Sequence, residues 1–299
     1  MNIIVTGGSG MVGSSFLMYL SNNKKYDLVN IYNLNKINFD FSSNVKVDIT
    51  NRKEVLFLKK LHPEIIIHCA ALTKISLCET HRKLAHKVNV IGTKNIVELS
   101  KITNAKLIYL STDAVFDGKK GNYMEQEKPN PLTIYGKTKF EGENICLDEL
   151  ADAIVIRTNI FGINNIEREP NFTESILCHL KNNLNYNAFI DARFSPIYVY
   201  KLIKIIEDLE KSNADGIYHV SSNDFLTKYE FAKILAEIFN YDGNLIQPIS
   251  VKSISKNIKY PKDLTLNNDK VSRFLKIKIP SVKEMMIEFK NDIKIKEQR

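Results

Sequence analysis

The first twenty residues constrain this chain more than any other stretch. "MNIIVT", Met1 to Thr6, is a short apolar run ending at a glycine, the pattern of a buried strand. "GGSGMVG" follows at once, with Gly7, Gly10 and Gly13 at every third position. "MVGSSFLMYLSNN" then sets Val12, Phe16, Leu17 and Leu20 at helical spacing. Strand, glycine turn and amphipathic helix in succession make the start of a β-α-β unit. Such a turn lets backbone N–H groups, among them those of Ser9, Met11 and Val12, and the positive end of the helix dipole approach a phosphate. The same glycines also fit a tight turn that holds no ligand.

The rhythm continues. "YDLVNIYN", Val45 to Val47, "PEIIIHCAA", "AKLIYLSTDAVF" and "DAIVIRTNIFG" read as strands. Between them, Arg52 to Leu61, "RKLAHKVNVIGTKNIVELSKIT" and "YGKTKFEGENICLDEL" read as helices. Strands alternating with helices imply right-handed crossovers and a parallel sheet covered on both faces, a Rossmann-like doubly wound α/β fold. Residues 1–160 are expected to form this dinucleotide-binding domain. Residues 161–299 are expected to form a smaller α/β substrate-binding region, with segments returning to the core. There "FTESILCHLKNN", "SPIYVYKLIKIIEDLEKS", "TKYEFAKILAEIFN" and "SVKEMMIEFKNDI" carry helical spacing, "GIYHVSS" reads as a strand, and Thr227 is a candidate N-cap.

Composition narrows the classes. At 299 residues, 44% hydrophobic and 25% charged, the chain has the balance of a globular protein, with no window fit to cross a membrane and no signal-peptide pattern. A cytoplasmic location follows as an expectation. Cys69, Cys78, Cys146 and Cys178 make no C-x-x-C pair and read as reduced, mostly buried thiols; no metal site is expected. The net charge is +8, but the lysines are interleaved with acids as on solvated helix faces, so nucleic acid is not an expected partner.

Several residues stand where ligands bind such sheets, at the C-terminal ends of strands. Asp48 and Ile49 in "VDIT", and Ala70 and Ala71 in "HCAA", fall there, although Asp48 also suits a helix cap and the alanines suit packing. At the end of the second strand, "IYNLNK" carries neutral Asn33 in place of an acid, and Lys36 beyond it suits a 2′-phosphate; NADPH is therefore expected over NADH. "YGKTK" sets Tyr135 and Lys139 on one helix face, where an ammonium would lower the phenol's pKa and suit it to proton transfer. In "LSTDAVFDG", Thr112 and Asp113 emerge at the sheet edge, where Thr112 is expected to hold a substrate oxygen against Tyr135.

Preceded by Thr6, the G-x-x-G-x-x-G spacing resembles the TGxxGxxG signature of short-chain dehydrogenases/reductases. With Thr112 and the Tyr135–Lys139 pair, the chain resembles the extended branch of that superfamily. The resemblance implies an active site of Thr112, Tyr135, Lys139 and, in "VNVIGT", Asn89, with Lys139 also contacting the nicotinamide ribose. "STDAVFDG", "NPLTIYGKTKFEGE", "IRT", "SPIYV", "GIYHVSS" and "YEFAKILAEIF" are similar, in order, to segments of dTDP-4-dehydrorhamnose reductase-like proteins. That family implies NADPH-dependent reduction of a 4-keto group on a nucleotide-linked 6-deoxy sugar, in the making of cell-surface polysaccharide. Thr73, Thr112, Asp113, Val115, Phe116 and Tyr135 are expected on the substrate side, with Arg193, a departure from the family motif, expected there as a contact for a diphosphate; a homodimer is left open. The substrate half departs from the family: "RFSPI" replaces "FGSPT", "KYPKD" brings Tyr260 before Pro261, and no tryptophan precedes the Tyr229 helix. Two other members of the superfamily remain as alternatives, a nucleotide-sugar epimerase and a non-catalytic NADP-binding subunit like the β subunit of methionine adenosyltransferase. Asp113-Ala114 in place of an Asp-Glu pair disfavours a dehydratase.

Overall fold

Apolar side chains alternate along the first strand: Ile3 and Val5 enter one hydrophobic layer, Ile4 the other. The same period of two runs through Ile65, Ile66 and Ile67, through Leu107 to Leu110, and through Ile154 to Ile156. Strands buried on both faces must lie inside a covered sheet. In the computed structural model, which describes residues 1–35, 37, 39–166, 168–253 and 260–297, they do.

Seven parallel strands form that sheet: β1 (Asn2–Thr6), β2 (Asp27–Tyr32), β3 (Ser43–Lys46), β4 (Ile65–His68), β5 (Lys106–Leu110), β6 (Ile154–Arg157) and β7 (Gly216–His219). Their spatial order is β7-β6-β5-β4-β1-β2-β3. The order reverses between β1 and β4, which opens a crevice at the carboxyl ends of the strands. One face packs α1 (Met11–Leu20); the other packs α2 (Arg52–Phe57), α3 (Gly92–Thr103) and α4 (Ile134–Glu149). From the second half of the chain come α5 (Phe172–Lys181), α6 (Val199–Lys211), α7 (Lys228–Phe239) and α8 (Val282–Glu297). Helix α6 packs beside α1, so β7 and α6 are the segments that return to the main sheet. Thr227 caps α7, and Glu230 completes the reciprocal capping box.

The expected helix over 82–103 is divided. A short helix, Arg82–His86, runs through a π turn at Lys87–Ile91 into α3. The extra residue turns Asn89 inward, where it is buried. The expected 152–162 strand is also divided: it leaves the main sheet after Arg157, and Ile160–Phe161 pair instead with Ile197–Tyr198.

A buried ionic network fixes α4. Arg157 Nε donates to both Glu143 carboxylate oxygens, at 3.0 and 3.1 Å, and Nη2 to Oε2 at 2.7 Å. Ser111 donates to the same carboxylate. Burial lowers the His219 pKa to about 3, so the ring is neutral. Its Nδ1 donates to the Tyr123 carbonyl, which leaves Nε2 to accept from Arg157 Nη1 at 3.4 Å. Removing one member strands the other. Arg157→Met is expected to cost about 3–5 kcal/mol of unfolding free energy, whereas Arg157→Met combined with Glu143→Met should cost less than the single change. Urea denaturation measures both; a double variant weaker than the single would contradict this account.

Candidate active site

The glycine turn sits at the reversal of strand order. Gly7 has φ +67°, and a Cβ there would meet the Ala70 backbone at 2.7–2.8 Å. A Cβ on Gly13 would strike the Gly7 carbonyl and approach Gly8 Cα to 2.9 Å. Both contacts are with backbone, so α1 can approach the loop this closely only with glycine at these positions. The result is a cleft of about 860 Å³. Gly7, Ser9, Gly10, Met11, Val12 and Gly13 line one side; Asn33, Asp48 and Ile49 line the far end, and Ala70, Ala71 and Thr73 the floor. Lys36, expected near the same end, lies outside the described residues. Segment 168–172 covers the mouth, a feature its polar, loop-like sequence did not signal. Arg168 Nη1 donates to the Ser9 carbonyl at 3.2 Å, and Glu169 pairs with Lys74 across the cleft at 2.7 Å.

A second cavity, about 300 Å³, opens at the carboxyl end of β5, and Thr73 lines both. Thr112, Asp113, Phe116 and Tyr135 line it, with Asn159, Lys228 and Tyr260 from later in the chain. Thr112 Oγ1 donates to Asp113 Oδ1 at 3.0 Å and accepts from the Ala114 N–H. Asn159 Nδ2 donates to Asp113 Oδ2 at 2.7 Å. Burial raises the Asp113 pKa against these hydrogen bonds and the Lys228 charge. Tyr135 lies in the first turn of α4, capped by Thr133, and shares the cavity wall with Thr112.

Four expectations need correction. Burial holds the Tyr135 phenol above its usual range; Thr112 opposes this, and Asp113 and Cys78 add to it, with Lys139 not among the influences. Lys139 instead sets its ammonium 4.0 Å over the Tyr109 ring, and burial lowers its amine to about 8. Val115 is fully buried in a small core with Phe116, Tyr123 and Leu266, so its side chain faces packing rather than the cavity. Arg193 is exposed and turned away, pairing with Asp263 at 3.6 Å and donating to the Phe225 carbonyl. Cys178 is exposed rather than buried.

Asn89 is brought near without entering either cavity. Its Oδ1 accepts from Leu72 N, and its Nδ2 donates to Leu72 O and Thr138 Oγ1. It positions the loop after β4 against α4.

Lys228 is the functional candidate that the sequence reading missed; its trace was the lack of an aromatic before Tyr229. It is the first residue of α7, and its N–H bonds the Ala192 carbonyl. Its ammonium lies 3.1 Å from the Phe194 ring centre and 4.7 Å from that of Phe172. Burial lowers the amine to about 7, with Asp113 opposing.

The chain belongs to the RmlD substrate binding domain family, whose model matches residues 1–295. A curated relative, dTDP-4-dehydrorhamnose reductase of Aggregatibacter actinomycetemcomitans, is 32% identical over 77% of this chain and 76% of its own length. Methionine adenosyltransferase 2 subunit beta of Xenopus tropicalis is 30% identical over 83% of this chain and 75% of its own. The crystal structure of dTDP-4-dehydrorhamnose reductase from Bacillus anthracis in complex with NADP superposes with a TM-score of 0.83, covering 97% of this chain and 99% of that one at 28% identity. The resemblance read from the motifs thus holds over the whole fold.

A Lys228 amine near 7, against an ordinary value near 10.5, means the folded state binds fewer protons than the unfolded chain between these values. Stability from this group therefore rises with pH across that window. Between pH 7 and 9 the wild-type urea midpoint should gain on that of Lys228→Met. Parallel pH responses would contradict the lowered amine.

Proposed function

We propose that this chain is an NADPH-dependent reductase acting on a nucleotide-linked 4-keto-6-deoxy sugar. The observation that carries this reading is Tyr135 on the wall of the smaller cavity together with Thr112, with Thr73 joining that cavity to the glycine-lined cleft.

The cleft residues suit a dinucleotide. The loop at Gly7, Gly10 and Gly13 leaves a cradle that side chains would fill, and the first turn of α1 directs N–H groups toward it. Asn33 and Asp48 offer polar atoms at the far end. The absence of an acid at Asn33 supports NADPH, as does the NADP in the Bacillus anthracis relative. Contact with the nicotinamide ribose is assigned to Lys139 on the family resemblance. When bound, NADPH supplies a hydride to the keto carbon.

The chain's own groups manage the oxygen. Thr112 would turn its hydroxyl proton from Asp113 to that oxygen and so hold it beside Tyr135. Tyr135 then gives its phenolic proton to that oxygen as the carbon is reduced, which completes the alcohol. Burial holds this phenol protonated at neutral pH and makes it a weaker acid, so the transfer is driven by the basicity of the oxygen as negative charge develops on it. Asp113, pinned by Asn159 and Thr112, restricts how Thr112 can turn.

The Xenopus tropicalis relative supports a second reading, an NADP-binding regulatory subunit with no turnover of its own. Incubation with NADPH and dTDP-4-keto-6-deoxyglucose, followed by absorbance of the reduced cofactor, separates these. Stoichiometric oxidation is expected of the reductase. Product without net oxidation would mean an epimerase, and NADPH binding without turnover across a panel of nucleotide sugars would favour the subunit. Tyr135→Phe should lower kcat by about 10²–10⁴-fold and leave NADPH affinity within about twofold. Retained turnover would remove Tyr135 from the donor role.

A further inference from the structure

Among the described residues, one basic and one acidic side chain line the smaller cavity, Lys228 and Asp113. Lys228 is in an unusual position for a charged group. Its backbone is fixed by the capped start of α7, by the bond to Ala192 and by pairing of Leu226 and Thr227 with Phe194 and Arg193. Its ammonium rests on two aromatic rings. Among the described residues, that ammonium makes no hydrogen bond and no ion pair within the protein. Cation–π contact offsets part of the desolvation. It leaves three N–H donors with no acceptor, an expense a protein rarely bears without use.

Asp113 supplies the complement. Two of its carboxylate lone-pair sites serve Thr112 and Asn159, and others remain. Lys228 offsets at most one negative charge and Asp113 already supplies one, so an anionic group would add a negative charge beside Asp113 with nothing to compensate it. A neutral hydroxyl suits it: the oxygen accepts from the ammonium, and its proton goes to the carboxylate. Adjacent hydroxyls of a hexose ring present that pattern next to the carbon facing Tyr135.

We propose that Lys228 is a specificity-determining residue of the substrate cavity, reading ring hydroxyls of a neutral hexose together with Asp113. This rests on the nucleotide-sugar reading above and names which part of the sugar is recognised.

Calorimetric titration of the intact chain, saturated with NADP, tests it without requiring turnover. The probes are dTDP, dTDP-glucose, UDP, UDP-glucose and UDP-glucuronate. In the wild type, one of the glucose conjugates should bind at least tenfold more tightly than its bare diphosphate. Lys228→Met should abolish that increment while leaving the affinities for NADP and the diphosphate within about twofold. Lys228→Gln, which keeps a donor, should restore part of it. Unchanged NADP affinity in both variants certifies the fold.

If no diphosphate or conjugate binds the wild type, the nucleotide-sugar reading itself fails and this inference with it. If the glucose increment is present but survives Lys228→Met, only the inference fails. If UDP-glucuronate gains more than UDP-glucose, the ammonium reads an anion and the neutral-hydroxyl assignment is overturned.

Discussion

One hydrogen-bond chain beneath the cleft ties together the elements on which the site depends. It starts at the Ala70 N–H, which donates to Thr6 Oγ1 at the end of β1. Thr6 lies 2.7 Å from His68 Nδ1, and His68 Nε2 lies 3.1 Å from Thr93 Oγ1. Thr93 gives its own proton to the Asn89 carbonyl, so it must accept from His68. That fixes the tautomer: Nε2 carries the proton, and Nδ1 accepts from Thr6. Burial lowers the His68 pKa to about 3, consistent with a neutral ring that has one donor and one acceptor in place. From Asn89 the chain passes through Nδ2 to Thr138, whose hydroxyl donates to the Tyr135 carbonyl. The glycine-loop strand and the helix carrying Tyr135 are thus joined by side chains that each have a defined direction.

Helix α4 is held a second time from its other end. Glu143 receives Arg157 and Ser111, and Tyr109 Oη donates to the Lys139 carbonyl at 3.3 Å. Ser111 immediately precedes Thr112, so the network that seats the helix also seats the strand end across from Tyr135. A proton donor acts only within hydrogen-bond reach of the oxygen it protonates, and small shifts in that distance are costly. Two buried networks anchored on the same helix reduce the freedom for such shifts. They also keep Lys139 enclosed between Tyr109, Cys69 and Cys146, where its amine is lowered and its charge does not reach the phenol.

The cofactor half was legible because its determinants are local. Strand, glycines and helix are contiguous in "MNIIVTGGSGMVGSSF", and period-two burial is printed in "IIIH" and "KLIYL". Tyr135 and Lys139 were legible as a pair, but spacing on a helix does not say where a flexible lysine ends: the Tyr109 ring, some thirty positions away, attracts it. The π turn escaped because one inserted residue barely perturbs a 3.6-residue period. Arg193 misled because a cation in a departing motif suggests a diphosphate, yet Asp263 lies opposite it. Val115 misled for the opposite reason: proximity in sequence to Thr112 does not survive a tight turn that buries it.

The substrate cavity is assembled differently, and this explains why family resemblance transfers unevenly. Its walls come from the ends of β5 and β6, the start of α4, the start of α7 and residues 260–264. No short motif contains it: its later members come from three separate stretches, around Asn159, Lys228 and Tyr260. Asp113 and Asn159 belong to the sheet edge, which the fold fixes. Lys228 and Tyr260 come from segments whose only constraint is to pack over that edge. Substitution there changes the cavity's donors and aromatic surfaces without disturbing the sheet, because the capping box of α7 and the pairing of Leu226 and Thr227 with Phe194 and Arg193 hold the backbone whatever side chain follows Thr227. The residues proposed to move a proton are therefore carried by the sheet edge and the helix networked to it, and those proposed to choose a ligand by what covers that edge.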